Sequence, residues 1–307
     1  MPKLNIVRST LIDSSPDKVF SALNDLNSWR NWSPWLVMEP EANVDVSNDG
    51  KYYEWKGKRV GSGQMRITGE KENESVNYDL TFLEPWKSEA KVKFDVIPKG
   101  ESCEVQWTMD SSLPWFMFWI KSITEGFIGM DFDRGLNMLK DYIEKGHIDS
   151  KMEFKGESEF PGATYVGIKT TCSMEDIGET MKSDFEKLEA FIQSHPELKG
   201  EAAYSIYHDW NIRKKQTTYT ACIAMNEIPE DLPDGLITGK IPSSKVYTLR
   251  HVGSYKHLGN AWSTLMSMER NKEFKKNKKM DPFEEYISDP QKTEEKDLIT
   301  DIHFGTK

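Results

Sequence analysis

The sequence is poor in cysteine, and its cysteines are not arranged as in a cross-linked protein. The 307 residues include three of them, Cys103, Cys172 and Cys222, and no two form a Cys-x-x-Cys pair. An odd number of widely spaced cysteines argues against a disulfide framework and fits a reducing compartment. The sequence therefore predicts a protein without disulfides.

Long apolar runs are also missing. The first residues carry no signal-like apolar core, and the most hydrophobic stretch, 113–128, is interrupted by Lys121 and Glu125. That stretch is too short and too polar to span a bilayer. We therefore expect a cytoplasmic protein without stable membrane insertion. Two interpretations of the cluster 115–119 stay open: the first turns of a buried closing helix, or a pocket mouth or membrane-touching tip.

The sequence lacks an excess of positive charge. The chain has 40 Lys and Arg against 50 Asp and Glu, a formal net charge of −10. An acidic chain repels phosphate backbones, and nucleic-acid binding normally leaves a basic footprint. The one basic run, 272–279, is broken by Glu273 and is interpreted as a solvated helix end and loop. We expect no nucleic-acid binding by this chain itself.

Motifs for metals, cofactors and activated nucleophiles are absent from the sequence. Its six histidines form no His-x-x-x-His or His-Glu-x-x-His pattern, and Gly61-Ser62-Gly63 lacks the rest of a dinucleotide fingerprint. No Gly-x-Ser-x-Gly elbow occurs. The sequence predicts neither metal nor cofactor. His208-Asp209 is open to two interpretations, a general-base pair or a solvated strand end.

Length and composition indicate two globular domains rich in aromatic residues. The length fits two domains, and 37% hydrophobic with 29% charged residues fits a folded protein. Ten Trp, eleven Tyr and fourteen Phe are available to line apolar pockets or to fill ordinary cores.

The hydrophobic pattern predicts an α+β fold in the first half of the chain. A strand at 5–12 precedes a helix that Ser15 and Pro16 begin, and short alternating runs from 41 to 109 are typical of an antiparallel sheet. Apolar residues at helical spacing then predict a long helix over 114–145. That helix is the element available to cover the sheet.

The second half contains a weak internal duplication after a junction at 146–151. Strand, helix, strand and strand are predicted twice, with a connecting loop at 229–242. The first set comprises 163–171, 174–193, 203–209 and 217–224, and the second comprises 243–251, 256–271, 283–287 and 298–304.

The first half resembles the helix-grip fold of the polyketide-cyclase and START-related (SRPBCC) superfamily. The resemblance rests on Ser-Pro-Asp-Lys-Val-Phe at 15–20, Trp-Arg-Asn-Trp-Ser-Pro-Trp at 29–35 and the closing helix, and it implies a domain at 1–147. This superfamily includes carriers, cyclases and hydrolases. The fold implies an apolar pocket between helix and sheet for a lipid-like molecule. The predicted lining is Phe116, Ile120, Ile123 and Phe127.

The second half resembles GyrI-like domains, the effector-binding part of AraC-type and multidrug-sensing regulators. The carrying stretches are Asp-Pro-Phe-Glu-Glu-Tyr at 281–286, Thr-Asp-Ile at 300–302 and Gly-Ser-Tyr-Lys-His-Leu at 253–258, within a domain at 151–307. The resemblance implies an aromatic pocket around one buried acid, Glu284, whose neighbour Glu285 faces the other way. The predicted walls are Tyr255, Trp262, Phe283 and Tyr207. The helix-turn-helix of such regulators is not visible.

Three hypotheses about function follow. The leading one is a sensor or sequestering protein for hydrophobic or cationic small molecules, with Glu284 as charge partner for a cation. The second is a hydrolase or cyclase that uses Glu284 as acid or base on a small hydrophobic electrophile. The third, implied by the resemblance, is a gyrase-inhibitor-like module that binds a protein partner.

Overall fold

The computed structural model describes residues 1–307 except 86, 196 and 230. They form two compact units, Met1–Asp149 and Ser150–Lys307. Each unit contains one antiparallel sheet together with α-helices, which confirms the predicted α+β class. Among the described residues, no helix is both long enough and apolar enough to cross a membrane.

The first unit contains a seven-stranded sheet in the order β1-β7-β6-β5-β4-β3-β2, in which all neighbours are antiparallel. Alternate residues of its central strands are buried, as expected for a sheet with one covered face. The strands are β1 Lys3–Ile12, β2 Asn43–Val46, β3 Tyr52–Gly57, β4 Gly61–Lys71, β5 Ser75–Glu84, β6 Ser88–Lys99 and β7 Ser102–Ser112.

The helices of the first unit are α1 Pro16–Leu23, α2 Trp29–Trp32 and α3 Lys121–Lys145. The long helix α3 buries side chains only from Gly129 onward and ends at Gly146, whose φ of 77° allows the left-handed stop that the sequence predicts. A tryptophan-rich core lies between α3, α2 and the sheet. Trp107 of β7 stacks on Phe132 of α3 at 3.9 Å between ring centroids.

The segment before α3 differs from the predicted continuous helix. Residues Trp115–Ile120 form a 3-10 helix with non-helical backbone angles at Met117, and the α-helix begins only at Lys121. None of the side chains of this 3-10 helix is buried. Its exposed aromatic residues are Trp115 at 74%, Phe116 at 59%, Phe118 at 66% and Trp119 at 62%. The interpretation as the first turns of a buried closing helix is therefore wrong.

The second unit contains an eight-stranded sheet in the order β12-β9-β11-β10-β14-β15-β13-β8. Its helices are α4 Ile177–Gln193 and α5 Gly259–Arg270. Its strands are β8 Ser150–Phe160, β9 Ala163–Ser173, β10 Gly200–Asn211, β11 Gln216–Met225, β12 Ile237–Ile241, β13 Ser244–Gly253, β14 Phe283–Tyr286 and β15 Ile299–Gly305.

The strand order shows the duplication directly. The repeats β9-α4-β10-β11 and β13-α5-β14-β15 occupy mirrored positions, so that β10 of one pairs with β14 of the other at the centre of the sheet. Each repeat also begins with an extra strand, β8 or β12, that pairs with the first strand of the other repeat. Strand β12 lies inside the predicted connecting loop 229–242, so that part of the loop prediction is wrong.

Candidate functional site

The carboxylate of Glu284 lies at the join between the two repeats. Strand β14 places Glu284 beside Ser205 of β10 on one side and Ile302 of β15 on the other. The residue is 1% exposed. A position in the middle of the sheet fixes the backbone on both sides, so the direction of this side chain is set by the fold.

Three side chains donate hydrogen bonds to this carboxylate. Trp262 of α5 donates from Nε1 to Oε1 at 2.5 Å. The hydroxyl of Tyr207 on β10 donates to Oε2 at 3.0 Å, and that of Tyr286 on β14 donates to the same oxygen at 2.7 Å. A buried carboxylate must be hydrogen-bonded to be tolerated. Here the donors are neutral and come from both repeats.

Among the described residues that shift the pKa of Glu284, none carries a positive charge that could balance the carboxylate. Burial raises the pKa of Glu284 above its ordinary value, and the hydrogen bonds from Trp262, Tyr286 and Tyr207 oppose that rise. Burial and the nearby carboxylate in turn raise the pKa of Tyr207 and of Tyr286 well above the ordinary tyrosine value. The described part of the site therefore supplies hydrogen-bond donors to the carboxylate but no cationic side chain to pair with it.

Aromatic rings surround the acid. The ring of Tyr207 stacks on Trp210 at 5.5 Å and meets Trp262 edge-on at 4.8 Å. Tyr286 is contacted edge-on by Phe185 of α4 at 5.5 Å and by Tyr255 at 5.8 Å. The faces of aromatic rings are electron-rich and attract cations that reach them.

Tyr255 is the wall residue nearest to solvent. It lies on the short 3-10 helix Tyr255–His257 before α5 and is 37% exposed. Burial of its hydroxyl and the charge of Glu284 raise the pKa of Tyr255 to about 12. Glu284 itself is closed off from solvent.

The predicted site residues divide into two groups. The structure brings Tyr207 and Trp262 into contact with Glu284 and places Tyr255 one ring further out. Phe283 does not join them, because its ring packs on the opposite face of the sheet against Phe160 at 4.8 Å. Adjacent strand residues point to opposite faces, so the prediction of Phe283 as a wall of this site is wrong.

The alternation of strand side chains between the two faces of the sheet also explains the direction of Glu285. It places Tyr286, which was not among the predicted site residues, on the face of Glu284. Glu285 faces away from Glu284, accepts a hydrogen bond from Tyr204 at 3.2 Å and lies 3.2 Å from His303 Nε2. Tyr286, two residues after Glu284, shares its face and donates to it. The strand period was the signal that could have identified Tyr286. Phe185 and Trp210 have no comparable signal, because tertiary packing alone brings them to the site.

The first unit contains a cavity of about 50 Å³. That volume accommodates a few water-sized groups and is too small for a lipid chain. No charged residue is among those that line it: Trp29, Ser33, Trp35, Leu36, Tyr53, Trp55, Val60, Met65, Leu80, Phe82, Val92, Trp107, Met109 and Phe132.

None of the four predicted lining residues contributes to this cavity. Phe116 and Phe127 are exposed, and Ile120 and Ile123 are partly buried. All four lie ahead of Gly129, where the buried part of α3 begins. The part of α3 that covers the sheet thus lies further along the chain than the apolar spacing indicates. Phe132, in that part, lines the cavity.

Family models match both halves of the chain. Residues 3–144 match the family described as polyketide cyclase / dehydrase and lipid transport, and residues 157–305 match the GyrI-like small molecule binding domain. Both resemblances found in the sequence, and their order along the chain, are confirmed. No curated protein matches the sequence.

Several solved structures are similar to parts of the chain. The C-terminal domain of EcmrR is 20% identical, with 52% of this chain and 98% of that chain covered and a TM-score of 0.42. An EcmrR–DNA complex is 19% identical, with coverages of 60% and 68% and a TM-score of 0.45. The Aha1 dimer from Colwellia psychrerythraea is 19% identical, with coverages of 47% and 98% and a TM-score of 0.35.

Proposed function

We propose that this chain, which joins a domain of the polyketide cyclase, dehydrase and lipid transport family to a GyrI-like domain, is a sensor or sequestering protein for small molecules. Its principal ligands are organic cations that bind at Glu284. One observation carries the proposal: a fully buried carboxylate lies among aromatic rings, with three neutral donors and no positive partner in the described part of the chain.

The energetics favour a cation over a neutral ligand. Burying an ionised carboxylate without a counter-charge is costly, and hydrogen bonds offset only part of that cost. A ligand cation would complete an ion pair with Glu284 and contact the faces of Tyr207, Trp262 and Tyr286. Each favourable cation–π contact contributes about 0.5–2 kcal/mol, most when desolvated.

Hydrophobic small molecules are the other class of ligand that we propose, and the first unit offers a place for them. Its cavity is lined mostly by aromatic and aliphatic side chains and by no charged residue, so the lining matches the apolar end of a ligand, and the cavity would have to widen to admit more than a few water-sized groups. Binding in this cavity would not involve the carboxylate of Glu284.

The charge of the ligand tests the proposal directly. We expect the full chain to bind N-methylquinolinium at least ~10-fold more tightly than 1-methylnaphthalene, its neutral isostere, because the cation alone forms the ion pair. Calorimetric titration measures both affinities, and chromatography of the recovered ligand shows whether it is consumed. Equal affinities would contradict the cation assignment.

Cation affinity should also rise with pH. Because burial raises the pKa of Glu284, the acid is neutral at low pH and gains its charge only as pH increases through that raised pKa. Tyr207, Tyr255 and Tyr286 stay neutral, since their pKa values are raised too. Titrations with N-methylquinolinium from pH ~4 to ~8 should show affinity increasing and then levelling, and a flat profile would count against Glu284 as charge partner.

The stability of the ligand-free protein should change in the opposite direction. The folded state holds the Glu284 proton to a higher pH than the unfolded chain does. The free energy of unfolding should therefore fall as pH rises from the ordinary glutamate pKa to the raised one. Glu284→Gln carries no such proton, and it provides the matched control for both measurements.

A hydrolase or cyclase is the second candidate. A carboxylic acid with a raised pKa, in contact with the hydroxyls of Tyr207 and Tyr286, resembles the general acids that enzymes build by burial. Chemical change of a bound electrophile that stops in Glu284→Gln, with binding retained, would favour the enzyme. Recovery of unchanged ligand would favour the binding protein.

A further inference from the structure

The four exposed aromatic residues before α3 form a surface that the cation site does not explain. We refer to Trp115, Phe116, Phe118 and Trp119 as the aromatic tip. Their exposed fractions lie between 59% and 74%. Single exposed apolar side chains are ordinary on a protein surface, but a contiguous group of large ones marks an interaction site.

The tip lies in a short stretch of sequence without acidic residues. Residues 111–124 contain no Asp or Glu, Asp110 and Glu125 flank them, and the chain as a whole carries a net charge of −10. Lys121 follows the tip and pairs with Glu125 at 3.6 Å. Lys3 lies on its other border, since it pairs with Ser112 in the sheet and the neighbouring Pro2 accepts a hydrogen bond from Leu113. Lysines bordering apolar rings complement lipid phosphates.

We propose that the aromatic tip docks this protein on the surface of a phospholipid bilayer. Trp and Phe are the side chains that favour the boundary between headgroups and acyl chains, where an aromatic ring is buried and an indole N–H stays hydrated. Lysine side chains beside them would extend to the headgroup phosphates. The tip would lie in the interface without crossing the bilayer.

The size of the tip favours a bilayer over a second copy of the chain. An aromatic side chain buries about 150–250 Å² when fully covered, so four that are about two-thirds exposed offer roughly 500 Å². A standard protein interface buries about 800 Å² on each partner. The tip falls short of that area, whereas shallow insertion into lipid needs only the rings themselves.

Flotation of the full chain with phosphatidylcholine vesicles tests the proposal. We expect wild-type protein to float with these vesicles and to bind more strongly when phosphatidylserine is included. The double variant Trp115→Ala/Phe118→Ala should lower the bound-to-free ratio at least ~10-fold on both vesicle types. Leu11→Ala, which removes an exposed side chain from β1 of the same unit, should bind as wild type does.

Each alternative outcome overturns the proposal. Wild-type protein that stays unbound with both vesicle types would do so, as would a double variant that floats like wild type. A dimer that sediments in the absence of lipid and disappears in the double variant, with no flotation, would assign the tip to a protein interface. Unchanged melting temperature in the double variant shows that the loss is not due to unfolding, and the result is independent of Glu284.

Discussion

We expect Glu284→Gln to lower the affinity for N-methylquinolinium by about 100-fold, equivalent to about 2.7 kcal/mol. The affinity for 1-methylnaphthalene changes little. The substitution keeps the shape of the side chain and removes its charge, so it separates the ion pair from the aromatic contacts. The carboxamide Oε1 still accepts from Trp262 or from the tyrosine hydroxyls, which limits structural damage. Calorimetric titration of both ligands with both proteins gives the four affinities needed.

The adjacent acid provides a matched control. Glu285→Gln changes a carboxylate one residue away on the opposite face of the sheet, where its partners are Tyr204 and His303. We expect that variant to retain cation affinity within about twofold. A comparable loss in both variants would mean that the overall negative charge of the domain, and not the Glu284 site, attracts the ligand.

Trp107→Ala produces the largest expected loss of stability. The side chain is 1% exposed and stacks on Phe132 at 3.9 Å with an interplanar angle of 9°. It also meets Trp29, Trp32 and Trp35 edge-on. Removing a buried tryptophan leaves a cavity that these rings cannot fill, and such truncations cost about 3–5 kcal/mol. Differential scanning calorimetry of the full chain should show a lower melting temperature for the first unit.

Trp115→Ala is the control for that loss. It deletes the same side chain from the same unit at a position that is 74% exposed, so its unfolding free energy should stay within about 0.5 kcal/mol of wild type. If the two substitutions destabilised the protein equally, the packing around Trp107 would not be the source of the effect.

The residues around Glu284 show how much of this site the sequence predicts. The motif identified the acid, and two of the walls implied by the resemblance, Tyr207 and Trp262, reach the carboxylate. Phe283 was wrongly predicted because belonging to the motif does not show which face of the strand a residue occupies, whereas the two-residue period of a strand does. Trp210 and Phe185 could not be predicted, since their contacts depend on how α4 and β10 pack.

In the first unit, the sequence predicts the elements better than the cavity. Helical spacing identified α3 but could not tell which of its turns meets the sheet, and the buried turns begin only at Gly129. The tryptophans that line the cavity come from separate elements, among them Trp29 of α2, Trp55 of β3 and Trp107 of β7. No local pattern shows that these side chains converge, because only the folded topology brings them together.

The extra strands of the duplicated unit, β8 and β12, show a different limit of prediction from sequence. Strand β12 is five residues long and lies at the edge of the sheet, where β9 is its one partner strand among the described residues. A short edge strand has one partner and little apolar alternation, so its sequence resembles a loop. Strands β8 and β12 each pair with the first strand of the other repeat. These contacts join residues far apart in the sequence, so composition and periodicity do not reveal them.

The central pairing of β10 with β14 gives ligand binding a consequence for protein abundance. Tyr207 from one repeat and Trp262 from the other hold the same carboxylate, so the site exists only when both repeats are folded together. A ligand seated there would bind the native state alone, and at a hundred times its dissociation constant it would add about 2.7 kcal/mol to the free energy of unfolding. Where proteases remove unfolded chains, unliganded copies would be degraded first. The amount of this protein in a cell would then rise with the concentration of its ligand, a response that requires no contact with DNA.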